Sequence, residues 1–434
     1  MGWLRAVILG MLVCAASCGG DARRESSRYI VRRVAAGAAD AAGVSDVLKG
    51  VGRKLTRLVA VGGNGYQAME VDARSDVETL VQHFRKHGLT AEEDHVQSAS
   101  VVPNDMYVDS MWNLVKISAP SAWDVSTGAG KAAVCVIDTG MDYTHPDLAA
   151  NVASKGYNAI SGALDAFDDN GHGTHCSGTI GAVANNARGI VGVVWSVRLI
   201  GCKFLDAGGS GYTSDAIRCL KFCRGAGARI TSNSWGGGQF SQALHDEIVT
   251  ERAAGNLFVT AAGNANLDID VADAYPANYD VDNVVVVSAT GPTDARSAYS
   301  NYGYNNVDLG APGDNIYSTV PNASYASLSG TSMATPHVAG AAALLWDRTN
   351  MSASYLDIKR ALLDSADRIG ALSGYSRSGG RLNVSRALEY AAPGRASPPL
   401  PPLPPLPRLP PLPPYPPRQA CCKYNKLGRC IKAC

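Results

Sequence analysis

Residues 330–346 have the sequence GTSMATPHVAGAAALLW, and no Asp, Glu, Lys or Arg occurs among them. From position 338 to 346 every face of a helix would be apolar, and such a helix is buried inside a protein. Ser332 stands at its start, where the helix dipole and free backbone N–H groups favour a developing anion. A lone serine at this place is usually only an N-cap. The stretch therefore predicts a central buried helix that carries Ser332 at its N-terminus.

Four apolar runs upstream of this helix have the composition of buried strands. They are residues 134–137, 197–200, 257–260 and 284–288. Segments long enough for helices separate the runs, which is typical of parallel strands joined by helical crossovers. We therefore predict an α/β fold in which a mostly parallel sheet carries helices on both faces.

The composition indicates a folded chain with no global field of charge. Hydrophobic residues make up 46% of the 434 positions and charged residues 18%, below the roughly 25% charged content of average globular domains. With 39 Lys and Arg against 38 Asp and Glu, the net charge is +1. Nothing in this balance attracts phosphate backbones, so we expect no nucleic-acid partner.

Residues 1–20 have the features of a secretory signal peptide. Arg5 precedes an apolar run over residues 6–16, and small residues follow the run. The alternative, a buried N-terminal helix, is disfavoured because nothing caps it. No other apolar run reaches the roughly 20 residues of a transmembrane helix. We therefore expect a secreted, extracellular protein without a membrane span, which acts as a monomer.

Composition divides the remaining chain into four parts. Residues 28–98 alternate strand-like runs with a helical stretch, which predicts a small α+β domain. Residues 99–392 hold the strand runs and the buried helix and form the main domain. Residues 393–418 are almost entirely Pro and Leu and predict an extended polyproline linker. Residues 419–434 form a cysteine-rich tail.

The 11 cysteines agree with an oxidising compartment. Four of them lie in the tail without a neighbouring His, which predicts two disulfides with three possible connectivities. They are Cys421, Cys422, Cys430 and Cys434. Five more lie in the main domain, so at least one of those stays free or pairs elsewhere. They are Cys135, Cys176, Cys202, Cys219 and Cys223.

Asp138 ends the first apolar run within the sequence VIDTG, at the strand end where open α/β sheets place their sites. Asp-Thr-Gly is also found in aspartic proteases, but that mechanism needs two carboxylates, and the chain has no second copy. The remaining alternative is an Asp that caps the following turn.

His172 lies in the glycine-rich sequence NGHGTH, before a helix of small residues. His-x-x-His could bind a metal, but no third ligand is nearby, so a general base is favoured.

Asn264 ends the run AAGN, where an amide otherwise serves only in a turn. Asp, His, Ser and an amide donor together supply acyl transfer through a serine nucleophile. Their order along the chain is Asp, His, Ser, the order that subtilisin has.

From about residue 103 to 391 the sequence resembles the subtilisin-like serine proteases. The matching motifs are DTG at 138, HGTH at 172, GN at 263 and GTSMATPHVAG at 330. The resemblance implies a subtilisin-like fold with Asp138, His172 and Ser332 as catalytic triad. It implies Asn264 as the donor to the oxyanion, together with the backbone N–H of Ser332.

The resemblance also implies where a peptide substrate binds. Two segments match those that hold an extended peptide by β-augmentation. They are Gly209, Ser210 and Gly211, and Ser234, Trp235 and Gly236. The resemblance implies a primary pocket lined by residues 234–236 and by Ala261, Ala262 and Gly263, with Ala274 near its floor. Their small, uncharged side chains predict an apolar or aromatic residue before the cut. Asp273 is the exception, since an acid in the pocket would favour Lys or Arg.

Thermitase-like members of the family have a calcium site whose ligands match positions in this chain. The resemblance implies side-chain oxygens from Asp105, Asp147 and Asn186 and carbonyls from Val183, Arg188 and Ile190, an oxygen set suited to structural Ca²⁺. Solvated surface polar groups are the alternative.

Cys176 follows the histidine motif, as in thiol-containing members of the family, which implies a reduced, mercurial-sensitive thiol; an inert buried Cys is the alternative. The other four cysteines of the main domain would then form two bridges.

Residues 28–98 resemble the family's inhibitory propeptide in position and size. The resemblance implies self-cleavage between residues 97 and 102, with the propeptide as inhibitor of its own enzyme.

These observations predict a secreted, calcium-stabilised serine endopeptidase that acts on protein or peptide substrates and is made as a zymogen. Broad specificity with an apolar preference is expected. Two other functions stay open: a processing enzyme with one client, and an adhesive glycoprotein that uses the fold as an inactive scaffold.

Overall fold

The computed structural model describes residues 27–33, 41–50, 53–61, 66–71, 77–93, 101–391, 421–424 and 430–433. The predicted signal peptide and the proline-rich linker lie outside the described residues, and so do the side chains of the tail cysteines. The chain divides into two compact units, one up to Ala99 and one from Ser100 onward.

The first unit is a four-stranded antiparallel sheet with two helices. Its strands are β1 (Ser27–Arg33), β2 (Leu55–Val61), β3 (Tyr66–Val71) and β4 (Leu89–Glu93), and its helices are α1 (Ala41–Lys49) and α2 (Val77–Lys86). The sheet order is β2-β3-β1-β4. On α2, Leu80 and Phe84 are one turn apart and both are buried in the core of the unit, as expected of an amphipathic helix.

The second unit is built on a nine-stranded sheet. Its elements are β5 (Ala133–Asp138), β6 (Val152–Asn158), β7 (Arg198–Lys203), β8 (Ile230–Asn233), β9 (Leu257–Ala261), β10 (Val284–Thr290), β11 (Leu309–Pro312), the hairpin β12 (Ile316–Val320) and β13 (Ser324–Leu328), and the short β14 (Asp367–Arg368) and β15 (Gly380–Arg381). The sheet order is β14-β15-β11-β10-β9-β8-β5-β7-β6, and the hairpin forms a separate sheet. Every neighbouring pair is parallel except β14 and β15. The predicted mostly parallel sheet is confirmed.

Helices cover both faces of this sheet. They are α3 (Trp112–Lys116), α4 (Ala119–Trp123), α5 (His172–Gly181), α6 (Thr213–Gly225), α7 (Gln242–Ala253), α8 (Thr331–Arg348), α9 (Tyr355–Asp364) and α10 (Val384–Tyr390). Successive residues of a strand point to opposite faces. Accordingly, Val134 and Val136 of β5 join the core under α5 and α8, whereas Cys135 and Ile137 join the core under α6 and α7.

The predicted central helix is α8, which begins at Thr331, seven residues before the apolar run. Every residue from Met333 to Asp347 is buried, whereas Ser332 is half-buried. The helix packs against α5 and strands β8 to β11. None of the helices in the described part of the chain has the length and apolar character needed to cross a bilayer. The tail contains the antiparallel pair β16 (Cys421–Tyr424) and β17 (Cys430–Ala433).

Candidate active site

Three elements of the second unit bring Asp138, His172 and Ser332 to one edge of the sheet. Asp138 is the last residue of β5, His172 is the first of α5, and Ser332 is the second of α8. Asn264 follows β9, the strand two positions from β5. This edge holds the carboxyl ends of the parallel strands, where open α/β sheets place their sites.

Asp138 and His172 form a hydrogen-bonded pair. His172 Nδ1 donates to Asp138 Oδ1 at 2.8 Å, and the same oxygen accepts the Thr139 N–H at 2.7 Å. With Nδ1 bearing the proton in this arrangement, Nε2 is left as the basic nitrogen. The Asp138 side chain is 0% exposed and that of His172 is 27% exposed, so solvent and substrate reach only the imidazole.

Charge around the imidazole favours its protonated form. Burial alone lowers the pKa of His172, but the charge and hydrogen bond of Asp138, with a smaller contribution from Asp168, raise that pKa above its ordinary value. His172 therefore has the electrostatic surroundings of a base that stabilises the proton it receives.

Two glycines allow the aspartate and histidine segments to approach each other. A Cβ on Gly173 would lie 2.1 Å from the carbonyl oxygen of Gly140, closer than any side chain permits. Gly140 has φ +122°, and its Cβ would lie 2.6 Å from the carbonyl oxygen of Ala166. Packing thus requires a glycine at both positions, and at Gly140 the left-handed backbone conformation requires it as well.

Pro336 explains how Ser332 is held. Proline has no N–H to donate to the carbonyl four residues earlier, so the Ser332 carbonyl lacks its helical donor. The Ser234 hydroxyl donates to that carbonyl at 2.9 Å, and the Cys176 thiol lies 3.5 Å away as a second donor. In this resting arrangement the Ser332 hydroxyl donates to the Ser234 carbonyl at 3.1 Å. Ser332 and His172 both lie in the described part of the chain, and no hydrogen bond joins them.

Asn264 is oriented by the residue before Ser332. Its side-chain oxygen accepts two hydrogen bonds from Thr331, one from the backbone N–H and one from the hydroxyl, both at 2.9 Å. The Thr331 hydroxyl also accepts the Gly263 N–H at 3.2 Å. With its oxygen engaged, the amide of the exposed Asn264 keeps its NH₂ group available for an anion at the helix start.

Sequence reasoning missed Asp168, four residues before His172. This buried carboxylate accepts hydrogen bonds from Thr139, Asn170, Gly171 and Thr174. The signal in the sequence was its place just before the glycine-rich turn, where an acid favours a helix N-terminus.

A cleft of about 470 Å³ opens beside His172. It is lined by the predicted segments 209–211 and 234–236 and by five further apolar side chains, Phe204, Leu205, Leu244, Tyr275 and Pro276. Ala262, Gly263 and Ala274 do not line this cleft, although all three belong to the described chain. Trp235 contacts Phe204 edge-on, with ring centroids 5.0 Å apart, and the described residues that line the cleft include no Asp, Glu, Lys or Arg.

The predicted calcium ligands lie together in a second place. Asp147 Oδ2 accepts the Ile190 N–H at 2.9 Å, and Asp105 Oδ2 accepts the Asn185 N–H at 2.9 Å. Burial raises the pKa of both carboxyls, and the Asp105 charge further raises that of Asp147. Two buried carboxylates that repel each other fit a hard cation.

Asn186 is oriented differently from the prediction. Its NH₂ group donates to Asp147 Oδ1 at 2.6 Å, and its oxygen accepts the Arg188 N–H at 2.8 Å. A ligand oxygen from Asn186 requires the opposite orientation of the amide. Val183 contacts the site through its N–H, which donates to the carbonyl of Asp147 at 2.8 Å.

Two disulfides tie α6 to the sheet. Cys135 of β5 pairs with Cys223, and Cys202 of β7 pairs with Cys219. Cys176 is free and buried, and burial raises its thiol pKa well above the ordinary value. Ligand atoms of Asp138, His172 and Cys176 lie within 4.8 Å of one another, but the hydrogen bond between Asp138 and His172 already engages two of the three.

Comparison with known proteins places this geometry in a family context. The model of the subtilase family matches residues 130–390. Thermitase of Thermoactinomyces vulgaris is 39% identical over 289 residues, which is 66% of this chain and 99% of that protein. The thermophilic serine proteinase of Bacillus sp. strain AK1 is 36% identical over 318 residues, 73% of this chain and 77% of that protein.

Solved structures agree with the sequence comparisons. A protease of Pseudoalteromonas arctica PAMC 21717 superimposes with a TM-score of 0.60 at 30% identity, over 67% of this chain and all of that one. A cold adapted subtilisin-like serine proteinase gives a TM-score of 0.53 at 35% identity, over 59% of this chain and 89% of that one.

Proposed function

This chain belongs to the subtilase family of serine endopeptidases, and from that membership we propose that Asp138, His172 and Ser332 form its catalytic triad. The observation that carries the proposal is the 2.8 Å hydrogen bond between His172 and the buried Asp138, next to a cleft and to a serine at a helix start. These are the parts of a general-base-activated nucleophile in one place.

The first step is attack by Ser332 on a peptide carbonyl. A peptide that pairs with the 234–236 segment by β-augmentation competes for the Ser234 carbonyl, to which the Ser332 hydroxyl donates in the resting arrangement. The hydroxyl then turns to Nε2 of His172, which takes its proton as the Oγ–C bond forms. His172 returns that proton to the leaving amine, and water hydrolyses the acyl-enzyme by the same route.

Asn264 stabilises the tetrahedral oxyanion through its NH₂ group, which the two hydrogen bonds from Thr331 leave free. The backbone N–H at the start of α8 supplies a second donor, in the positive field of a helix of 18 residues. Asp138 keeps the imidazole in the tautomer with Nε2 unprotonated and stabilises the imidazolium that forms.

The cleft supports a preference for apolar or aromatic substrate side chains. Aromatic and aliphatic residues line it, and the two segments rich in glycine along it leave backbone groups accessible to an extended peptide. Recognition through backbone hydrogen bonds favours broad specificity on protein and peptide substrates.

Secretion and zymogen processing complete the proposal. The separate compact unit up to Ala99 suits an inhibitory propeptide in position and size. Self-cleavage between residues 97 and 102 would release the domain 99–392 with its linker and tail. N-terminal sequencing of the secreted wild-type protein and of a purified Ser332→Ala chain tests this. A Ser332→Ala chain that still lost residues 28–98 would contradict self-cleavage.

Calcium is the proposed structural cofactor. Asp105 and Asp147 would hold the ion, with Asn186 in its opposite amide orientation and carbonyls of Val183, Arg188 and Ile190. A bound Ca²⁺ would neutralise the charge of these two buried carboxylates and would connect residue 105 to the loop after α5.

Labelling with a fluorophosphonate tests the proposed triad directly. The probe forms a bond between phosphorus and the serine Oγ and releases fluoride, so the adduct is mapped by peptide mass. We expect the label on Ser332 and its loss, with peptide hydrolysis, in Ser332→Ala. Ser327→Ala, an exposed serine of β13, is the matched control and keeps both. An unlabelled wild-type chain that is folded would refute the proposal.

A further inference from the structure

Asp168 occupies a buried position between the aspartate and histidine segments of the site. Its side chain is 1% exposed, yet it pairs with no Lys or Arg among the described ion pairs. Five hydrogen bonds to the carboxylate take the place of a counter-charge and, against the opposing effect of burial, lower its pKa, so the group is ionised at neutral pH.

The first turn of α5 shows what these hydrogen bonds accomplish. A helix start leaves its first N–H groups without helical partners. The His172 N–H donates to Asn170 Oδ1 at 3.2 Å, the Gly173 N–H to Thr139 Oγ1 at 2.9 Å, and the Thr174 N–H to Asp168 Oδ2 at 2.9 Å. Gly171, the N-cap, has no side chain for this task, so residues outside the helix hold the turn that carries His172.

Asp168 also reaches the segment that carries Asp138. The Thr139 hydroxyl donates to Asp168 Oδ1 at 2.8 Å while it accepts the Gly173 N–H. One chain of hydrogen bonds thus runs from the residue after His172, through the residue after Asp138, to Asp168. These hydrogen bonds fix the backbone that carries Asp138 relative to the backbone that carries His172, next to the contact between the two side chains.

The next residue, Asp169, contacts Lys203 and not the first turn of α5. Asp169 Oδ1 accepts from Lys203 Nζ at 2.6 Å, and the same ammonium donates to the carbonyls of Thr139 and Leu205 at 2.8 and 2.7 Å. Asp169 is half exposed, and Lys203 compensates its charge. Of these two adjacent acids, Asp168 is the one that presents a buried negative charge without a Lys or Arg partner to the histidine turn.

The other ionisable groups around His172 are few. Its own helix carries His175 and Cys176, and the elements packed against that helix carry Asp138, Arg198, Lys203, Tyr317, His337, Asp347 and Arg348. Asp138 and Asp168 are the two whose charges raise the pKa of the imidazole.

We propose that Asp168 is a positioning residue for the reaction: its carboxylate fixes the backbone of His172 against that of Asp138 and adds a second negative charge beside the imidazole. The inference rests on the proposed role of His172 as general base. Because Asp168 does not line the cleft, it should act on kcat and leave KM nearly unchanged.

The test is Asp168→Asn, an isosteric change that places an NH₂ group against N–H donors and removes the charge. Sites are counted by fluorophosphonate labelling taken to completion, so misfolded chains do not enter kcat. We expect kcat per labelled site to fall between 10- and 100-fold, the scale of a sub-ångström to 1 Å misplacement. KM should stay within about twofold, and the acid limb of the kcat profile should move to lower pH, because loss of a negative charge lowers the pKa of His172.

Two further variants separate position from charge. Thr139→Val removes the bridging hydroxyl but keeps the carboxylate, so kcat should fall while the acid limb stays in place. Asp165→Asn, at an exposed acid of the same loop, is the matched control and should change neither quantity.

Each result decides a different point. An unlabelled wild-type chain refutes the proposed function itself. If the wild type is labelled but Asp168→Asn retains its kcat and acid limb, only the positioning role is refuted. If Asp168→Asn does not fold, Thr139→Val decides, and an unchanged kcat there overturns the inference.

Discussion

Two buried histidines of the second unit should make the folded chain sensitive to acid. His337 and His175 are both 0% exposed, and burial lowers the pKa of each to about 4. His337 donates through Nδ1 to the Met333 carbonyl at 2.8 Å, so its Nε2 accepts from the Asn113 amide at 2.7 Å. A proton on Nε2 would face that NH₂ group, which explains physically why the ring stays neutral.

The sign and size follow from proton linkage. Each histidine regains an ordinary pKa of about 6.5 when the chain unfolds, so the unfolded state binds protons first as the pH falls. Stability is therefore complete above about pH 6.5 and decreases as the pH falls toward 4. Between pH 7 and 4.5 the loss of stability is about 2 kcal/mol for each ring, which is a large share of the roughly 5–15 kcal/mol that stabilises a typical domain.

Urea unfolding of the Ser332→Ala chain, followed by tryptophan fluorescence at pH 7 and 4.5, measures this loss without self-digestion. Adding His337→Gln should reduce the difference in unfolding free energy between the two pH values by about 2 kcal/mol, whatever the substitution costs at pH 7. His245→Gln, at a partly exposed histidine of α7, is the matched control and should retain the parent's difference. A His337→Gln chain with the same pH dependence as its parent would refute the reasoning, as would a His337 ring that titrates near pH 6.5 by NMR.

Three further predictions concern the site and its supports. Asn264→Ala should lower kcat by about 10²- to 10³-fold with little change in KM. Thr331→Val should lower kcat less, since the backbone N–H of residue 331 still orients the Asn264 amide. Equal effects on KM and kcat would argue against an oxyanion role of Asn264. Excess EDTA should lower the melting temperature of the wild type but not that of Asp147→Asn, which is already less stable, and an EDTA-insensitive wild type would remove calcium from the proposal. Iodoacetamide at neutral pH should leave Cys176 unmodified in the native chain and alkylate it after denaturation, because burial raises the pKa of the Cys176 thiol. Mass spectrometry of the tryptic peptide checks this, and rapid alkylation of the native chain would contradict it.

The fold was predictable where the sequence pattern is local. The runs of β5, β7, β9 and β10 are largely apolar because both faces of these strands are covered. Strand β8 was not predicted, since its sequence ITSN is polar although all four residues are buried. Two of its side chains have partners inside the fold, because the Asn233 amide donates to the Thr231 hydroxyl at 2.9 Å and to the Val259 carbonyl at 3.1 Å. Composition alone does not reveal such partners.

The cleft shows the same limit. Segments 209–211 and 234–236 were recognisable because they resemble the segments that hold an extended peptide in the subtilisin-like proteases. Tyr275 and Pro276 also line the cleft, but nothing in their local pattern predicted this. Their position follows from the long connection between β9 and β10, whose path depends on the surfaces against which it packs.

The sequence by itself determined the type of sheet, the central helix and the four residues of the candidate site, because each depends on short-range chemistry: a side chain at a strand end or helix start, beside glycines that packing requires. Only the tertiary structure decided which cysteines pair, which groups replace the N–H that Pro336 lacks, and how Asp168 ties the histidine turn to Thr139. Those partners are distant along the chain, and a hydrogen bond or disulfide forms only between groups that the complete fold has brought within a few ångströms.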